Sequence, residues 1–139
     1  MDAYTEELVE VLKNTEFRKG NDTYSYEDGI KLLVDTFTEK KKAGSKVYII
    51  GNGGSAAIAS HMTADFMKNG GMNTVSLYDN AVTTCMGNDY GYGHVFSKPL
   101  SFLVSERDLL VAISSSGKSQ NIINSIKVAE EKGVEASLT

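Results

Sequence analysis

The chain predicts an α/β fold built on a parallel sheet, and three observations carry that expectation. Short β-favouring runs alternate with amphipathic helical stretches from Val47 onward. The two strongest runs, Val47-Tyr48-Ile49-Ile50 and Leu109-Leu110-Val111-Ala112-Ile113, are almost continuously apolar, as strands covered on both faces must be. Each of them leads directly into a loop of small, hydrogen-bonding residues that opens a helix. At 139 residues the chain is long enough for one core, so a single domain over 1–139 is expected, with N-terminal helices in 1–44 and the α/β core in 45–139.

In order along the chain, Leu8, Val9, Val11 and Leu12 interleave with charges and predict a first helix from Tyr4 to about Phe17, ended by the break Lys19-Gly20-Asn21-Asp22. Ser25, with Asp28 three residues on, has the character of a capping box. Ile30, Leu33, Val34 and Phe37 then fall at i, i+3, i+4 and i+7, and Lys40-Lys41-Lys42 followed by Gly44 mark the end of a second helix. The strand at Val47–Ile50 is followed by Gly51-Asn52-Gly53-Gly54-Ser55 and a helix to about Lys68, whose Ile58, Met62 and Phe66 are expected to face the core. Thr74–Leu77 reads as a strand, Asp79–Met86 and His94–Val104 as helical, Gly87-Asn88-Asp89 on spacing alone as a turn, and Leu109–Ile113 as a strand. The helix after Ser119 carries Ile122, Ile123, Ile126 and Ala129 on one side and stops at Gly133, before a last strand at Val134–Leu138. Strand and helix so alternated imply right-handed crossovers, helices on both sheet faces, and a ligand site at the carboxyl ends of the strands.

Composition narrows the function classes. Fourteen basic residues against 18 acidic ones give a net charge of −4, which argues against a protein that coats nucleic acid or an anionic membrane. The 41% hydrophobic content fits a water-soluble core former. The lone Cys85 has no disulfide partner within the chain, and its place beside Met86 in an apolar stretch suggests a core thiol. With no signal-like N-terminus and no apolar run of membrane-spanning length, a cytoplasmic location is expected.

The chemistry is expected in the two loops. Gly51, Gly53 and Gly54 permit positive φ and close backbone approach, while Asn52 and Ser55 add side-chain donors. Ser114, Ser115 and Ser116 supply consecutive hydroxyls, Gly117 a turn, and Ser119 a helix cap or first-turn residue. Two such loops before helix N-termini suit a phosphate held by amides and hydroxyls, with Lys118 either adding a cation or simply solvated. A dinucleotide site is a rival, because Gly51 to Ala56 satisfies G-x-G-x-x-A and Asp79 follows the next strand. Asp79 nevertheless lies beyond the usual spacing of about 20 residues, and no nucleotide cofactor is expected. Gly117-Lys118-Ser119 copies only the tail of the nucleotide-hydrolase phosphate loop. His94 receives no role, Tyr90 and Tyr92 either line the site mouth or pack, and Arg107 and Asp108 precede their strand at its amino end, where structural roles are expected.

Gly51–Ser55 with Ala56-Ala57, His61, Gly87-Asn88-Asp89 and Ile113–Ser119, in this order, resemble the sugar isomerase (SIS) domain family, and within it the phosphoheptose isomerases, over essentially the whole chain. The resemblance implies a flavodoxin-like three-layer α/β/α sandwich and a homotetramer with sites at subunit interfaces. It implies an intramolecular oxidoreductase, an aldose–ketose isomerase that converts sedoheptulose 7-phosphate to D-glycero-D-manno-heptose 7-phosphate through an enediol, for lipopolysaccharide or capsule biosynthesis. It makes Asn52, Gly53, Gly54, Ser55, Asn88 and Asp89 substrate contacts and Ser114, Ser115, Ser116 and Ser119 the phosphate cradle. It makes His61 a zinc-binding histidine and places Asp65 where the family has a glutamate that binds metal and substrate, hence the candidate base. His61 and Asp65 are i and i+4 and share a helix face, which a plain surface pair would also do. Asp65 is one methylene shorter than that glutamate, and family isomerases continue past the strand at 134–138 to supply a glutamine and a second histidine, so the core in 45–139 is expected to be incomplete. The alternative is a non-catalytic SIS protein that binds a phosphosugar or a protein partner.

Overall fold

The computed structural model describes residues 2–139, which divide into a unit ending at Glu39 and a unit from Lys40 to Thr139. In the first, helix α1 (Ala3–Lys13) is capped by Asp2, whose Oδ1 accepts the Thr5 N–H at 2.9 Å. It stops at Lys13, short of the Phe17 that periodicity suggested. The expected break is instead an antiparallel hairpin of β1 (Phe17–Lys19) and β2 (Asp22–Tyr24), with Lys19 opposite Asp22 and Gly20 taking φ +61° at its tip. A two-residue Gly-Asn connection is a known hairpin former, so the same residues that end the helix also turn the chain. Helix α2 (Tyr26–Lys42) begins as predicted, with the Asp28 N–H donating to Ser25 Oγ at 3.1 Å. The Phe17 ring lies so close over Gly29 that a Cβ there would fall 2.0 Å from it.

In the second unit β3 (Lys46–Gly51), β4 (Asn73–Val75), β5 (Leu109–Ile113) and β6 (Glu135–Leu138) form one sheet in the order β4-β3-β5-β6, every pair parallel. Helix α3 (Gly54–Lys68) links β3 to β4; α4 (Asn80–Tyr90), a 3₁₀ turn (Tyr92–His94) and α5 (Ser97–Leu103) lead to β5; α6 (Gln120–Glu131) leads to β6. Side chains alternate across the sheet. Tyr48, Ile50, Leu110 and Ala112 pack with Leu77, Val95, Phe96, Leu100, Ile122 and Ala129 in the main core. Val47, Ile49, Leu109 and Val111 are buried on the opposite face, where α3 covers β3 with Ala59 and Thr63. The sheet is therefore sandwiched between helix layers, as expected.

Small differences have local causes. Ile58 is 53% exposed, because α3 turns its small residues Ala59 and Thr63 to the sheet for close approach, and Thr63 C=O accepts the Thr74 hydroxyl at 2.8 Å. Asp108, almost wholly buried, accepts Lys46 N–H and Ser105 N–H at 2.9 Å each and the Ser105 hydroxyl at 3.0 Å. It ties the start of β3 to the turn before β5, the structural role expected of it. Lys40 donates to the Arg107 and Asp108 carbonyls and pairs with Glu135 at 3.3 Å. Among the described residues no helix is long and apolar enough to cross a membrane.

Candidate functional site

From β3 the chain crosses to β4 on one side and from β5 to β6 on the other, so the connections that leave the carboxyl ends of the two central strands run in opposite directions. Ligands of open α/β sheets bind in the crevice above such a point. Gly51 and Ile113 are register partners at the ends of β3 and β5, so the loops 52–53 and 114–119 start side by side.

Glycine is required at the first turn. A Cβ on Gly51 would stand 2.7 Å from Ser55 Cβ and 2.8 Å from the Ser55 carbonyl group, because the first turn of α3 folds back over the strand end. Gly53 occupies the N-cap of α3 at φ +55° with no side-chain cap, which leaves the helix N-terminus to other acceptors. In the second loop Gly117 takes φ +62°; its N–H donates to Ser114 Oγ and the Lys118 N–H to Ser116 Oγ, both at 3.2 Å. Ser119 is the N-cap of α6 by position, but its hydroxyl makes no capping bond, so the side chain is not spent on the helix. Ser115, Ser116 and Lys118 are exposed.

Asn121, Asn124 and Tyr78, to which sequence reasoning gave no role, brace these loops together with Asn52 and with Tyr92, which was expected either to line the site mouth or to pack. The Asn52 and Asn121 amides bond reciprocally, Asn52 Nδ2 to Asn121 Oδ1 at 2.9 Å and Asn121 Nδ2 to Asn52 Oδ1 at 2.8 Å. The Tyr92 hydroxyl donates to Asn52 Oδ1 at 3.3 Å. Its turn rests on α6, where Asn124 Nδ2 donates to Gly93 C=O at 2.8 Å. Behind the first loop the Tyr78 hydroxyl accepts the Gly51 N–H at 2.6 Å and donates to the Gly51 C=O at 2.9 Å. Burial pushes the Tyr78 phenol up to about 12, and does the same to Tyr48, whose hydroxyl donates to the Leu103 C=O at 3.0 Å. The available signal for Asn121 was a polar residue on the buried side of a helix, next to Ile122 and one turn before Ser125.

Asn88 and Asp89 lie in the last turn of α4 rather than in a turn, because the helix runs on to Gly91, whose φ of +80° ends it. Asn88 Nδ2 donates to Asp89 Oδ1 at 2.8 Å, three to four residues before Tyr92. Cys85 is exposed instead of packed in the core, and its thiol lies 3.6 Å from Asp89 Oδ2. The neighbouring carboxylate pushes the thiol pKa up, the opposite of what a nucleophile needs. Asp79 Oδ1 accepts the Val82 N–H at 2.9 Å, which makes it the cap of α4. His94 Nδ1 meets the buried Ser97 hydroxyl at 3.1 Å, a structural contact.

His61 and Asp65 do share a face of α3, Nε2 to Oδ2 3.3 Å, with side chains 78% and 50% exposed. They sit far from the loops: at 1.5 Å per residue, Asp65 is about 16 Å along α3 from Gly54. No cluster of three or more His, Cys, Asp or Glu side chains occurs among the described residues. Two donors at the surface do not make the tetrahedral set that zinc takes, so this chain by itself does not fit the metal that the resemblance suggests.

The model of the SIS domain matches residues 4–136, from the start of α1 into β6. The chain belongs to the SIS domain family. This SIS domain is 41% identical over 113 residues to a phosphoheptose isomerase of Aliarcobacter butzleri (strain RM4018), covering 77% of this chain and 58% of that protein. It is 37% identical over 116 residues to the phosphoheptose isomerase of Synechocystis sp., covering 79% and 60%. Among solved structures it resembles the phosphoheptose isomerase of Neisseria gonorrhoeae at a TM-score of 0.70 and 36% identity, over 76% of this chain and 58% of that one. That of Francisella tularensis gives 0.74 at 30% identity, over 78% and 59%. The SIS domain thus spans about three fifths of the length of the relatives it matches.

Proposed function

We propose that this SIS domain is part of an aldose–ketose isomerase that acts on sedoheptulose 7-phosphate to give D-glycero-D-manno-heptose 7-phosphate. The observation that carries the reading is the pairing of Gly51 with Ile113, which sets two loops of small donor residues side by side above two parallel strands. Asn52, Gly53, Gly54 and Ser55 on one side and Ser114, Ser115, Ser116 and Ser119 on the other hold the sugar phosphate. The N-termini of α3 and α6 add backbone N–H groups and the positive ends of two helix dipoles, so phosphate is bound largely by neutral donors. Asn88 and Asp89 contact the sugar from the end of α4.

The reaction moves one hydrogen from C1 of the ketose to C2 of the aldose through a 1,2-enediol, so it needs a base beside C1. Asp65 takes that role. At about 16 Å along α3 from the loop of its own chain, it reaches only a substrate held by another copy, in keeping with a homotetramer whose sites lie at subunit interfaces. The exposure of the His61 and Asp65 side chains leaves them available for such an interface.

The test is NMR of sedoheptulose 7-phosphate with the protein in deuterated water. Deuterium entering C1 and formation of aldose are expected, both abolished in Asp65→Asn while loop amide shifts on binding persist. Absence of ligand-induced shifts at Asn52–Ser55 and Ser114–Ser119 refutes the reading. The distance of Asp65 from the loops favours one second reading, a phosphosugar-binding SIS protein without turnover; it predicts those shifts with no exchange at any protein concentration.

A further inference from the structure

The hydrogen-bond capacity of the Asn52 amide can be counted group by group. Asn121 Oδ1 accepts the N–H of Ile122, the next residue in its own chain, at 3.0 Å. A backbone N–H only donates, so this bond fixes which end of the Asn121 amide is oxygen. Its second lone pair takes Asn52 Nδ2 at 2.9 Å, and Asn121 Nδ2 therefore faces Asn52 Oδ1 at 2.8 Å. That oxygen also receives the Tyr92 hydroxyl at 3.3 Å, which fills both its lone pairs. Three groups from two elements, both ends of the Asn121 amide on α6 and the Tyr92 hydroxyl on the 3₁₀ turn, thus dictate the orientation of one amide, and Asn121, 3% exposed, holds it from a buried position. What Asn52 has left is a single Nδ2 proton.

We propose that Asn121 and Tyr92 are positioning residues that hold Asn52 so that it offers the site one N–H and no acceptor. Asn52 then recognises an oxygen that carries a lone pair, such as a phosphate, carbonyl or enediolate oxygen, and gains nothing from a hydroxyl proton. This rests on the sugar-phosphate reading for the identity of the ligand, but the locked amide is a property of the free protein. The same pair joins the loop after β3 to the first turn of α6 across 69 residues of sequence, so the orientation of the donor and the spacing of the two loops are set together.

The experiment is ¹⁵N NMR of the side-chain amides in wild type, Tyr92→Phe and Asn121→Leu, free and with sedoheptulose 7-phosphate or inorganic phosphate as probes. In free wild type one Asn52 Nδ2 proton is expected to exchange slowly with water and the other fast. In Asn121→Leu both exchange fast, while amide signals of β3 and β5 away from the loops stay in place. Tyr92→Phe keeps the slow proton, because the reciprocal pair survives, but it frees one Asn52 Oδ1 lone pair and binds sedoheptulose 7-phosphate more weakly than wild type does; affinity equal to that of wild type removes Tyr92 from the positioning residues. Addition of sedoheptulose 7-phosphate to wild type shifts the fast proton, and Asn121→Leu binds that probe about ten-fold more weakly, the loss of one oriented hydrogen bond. Fast exchange of both Asn52 protons in wild type overturns the lock, and affinity for sedoheptulose 7-phosphate in Asn121→Leu equal to that of wild type overturns the positioning role of Asn121. Wild type that shows the slow proton but binds neither probe overturns the sugar-phosphate reading and leaves the lock supported.

Discussion

Replacement of Tyr78 by phenylalanine removes one oxygen atom, and the structure gives that atom two partners. The hydroxyl accepts the Gly51 N–H at 2.6 Å and donates to the Gly51 C=O at 2.9 Å, at a residue that is itself buried. A buried backbone group left without a partner costs about 1–3 kcal/mol, and the N–H is the more demanding of the two because a carbonyl has a second lone pair. The loss in Tyr78→Phe is therefore expected at about 2–3 kcal/mol. The ring itself stays, and with it the edge-on contact with Phe96 at a centroid distance of 5.5 Å, so little packing is lost. For a chain of 139 residues an unfolding entropy of about 2 cal/mol/K per residue turns each kcal/mol into about 3 °C, which predicts a Tm lower by about 8 °C. Thermal unfolding followed by circular dichroism, with urea denaturation to check that the m-value is unchanged, reads this directly. A fall of less than 2 °C would refute the reasoning, since it would mean that water replaces the hydroxyl and that Tyr78 does not brace the end of β3.

Two further perturbations follow from the same region. Gly51→Ala puts a methyl group 2.7–2.8 Å from Ser55, so α3 must shift; a cost of about 1–3 kcal/mol is expected, with loss of phosphate binding out of proportion to it, checked by denaturation and by phosphate titration of the folded variant. Tyr48 and Tyr78 ionise near 12 in the folded chain against about 10 when unfolded, so the folded state favours their neutral forms. That contribution is fully present below pH 10 and is lost as pH rises from 10 to 12; urea midpoints should fall across this window, and Tyr48→Phe with Tyr78→Phe should flatten the fall.

The central strands and both loops were legible because burial on two faces leaves a plain record: Val47–Ile50 and Leu109–Ile113 have little choice but to be strands, and small residues after them have little use except a turn or a ligand. The hairpin at Phe17–Tyr24 left no such record, since Phe17-Arg18-Lys19 and Asp22-Thr23-Tyr24 carry few β-branched residues and their pairing depends on the turn between them. On α3 the expectation chose the large residue Ile58 for the core, whereas close helix-on-sheet approach selects the small ones, Ala59 and Thr63. Gly87-Asn88-Asp89 has turn chemistry, yet α4 continues through it to Tyr90. Asn121 and Tyr78 escaped because their value lies in partners 69 and 27 residues away, and no local pattern marks such bonds.

The strand order has a consequence for when the site exists at all. Its two loops hang on β3 and β5, neighbours in the sheet but 62 residues apart from Val47 to Leu109, so the crevice is made by a contact with a large loop-closure cost. No short piece of the chain contains it. A ligand that bridges the loops acts as a clasp on the seam of the sheet with the longest sequence separation, and at a hundred times its dissociation constant it deepens the native well by about 2.7 kcal/mol. Occupancy and foldedness are therefore linked here: if the ligand is the proposed phosphosugar, its supply protects the protein from unfolding and its depletion exposes the chain.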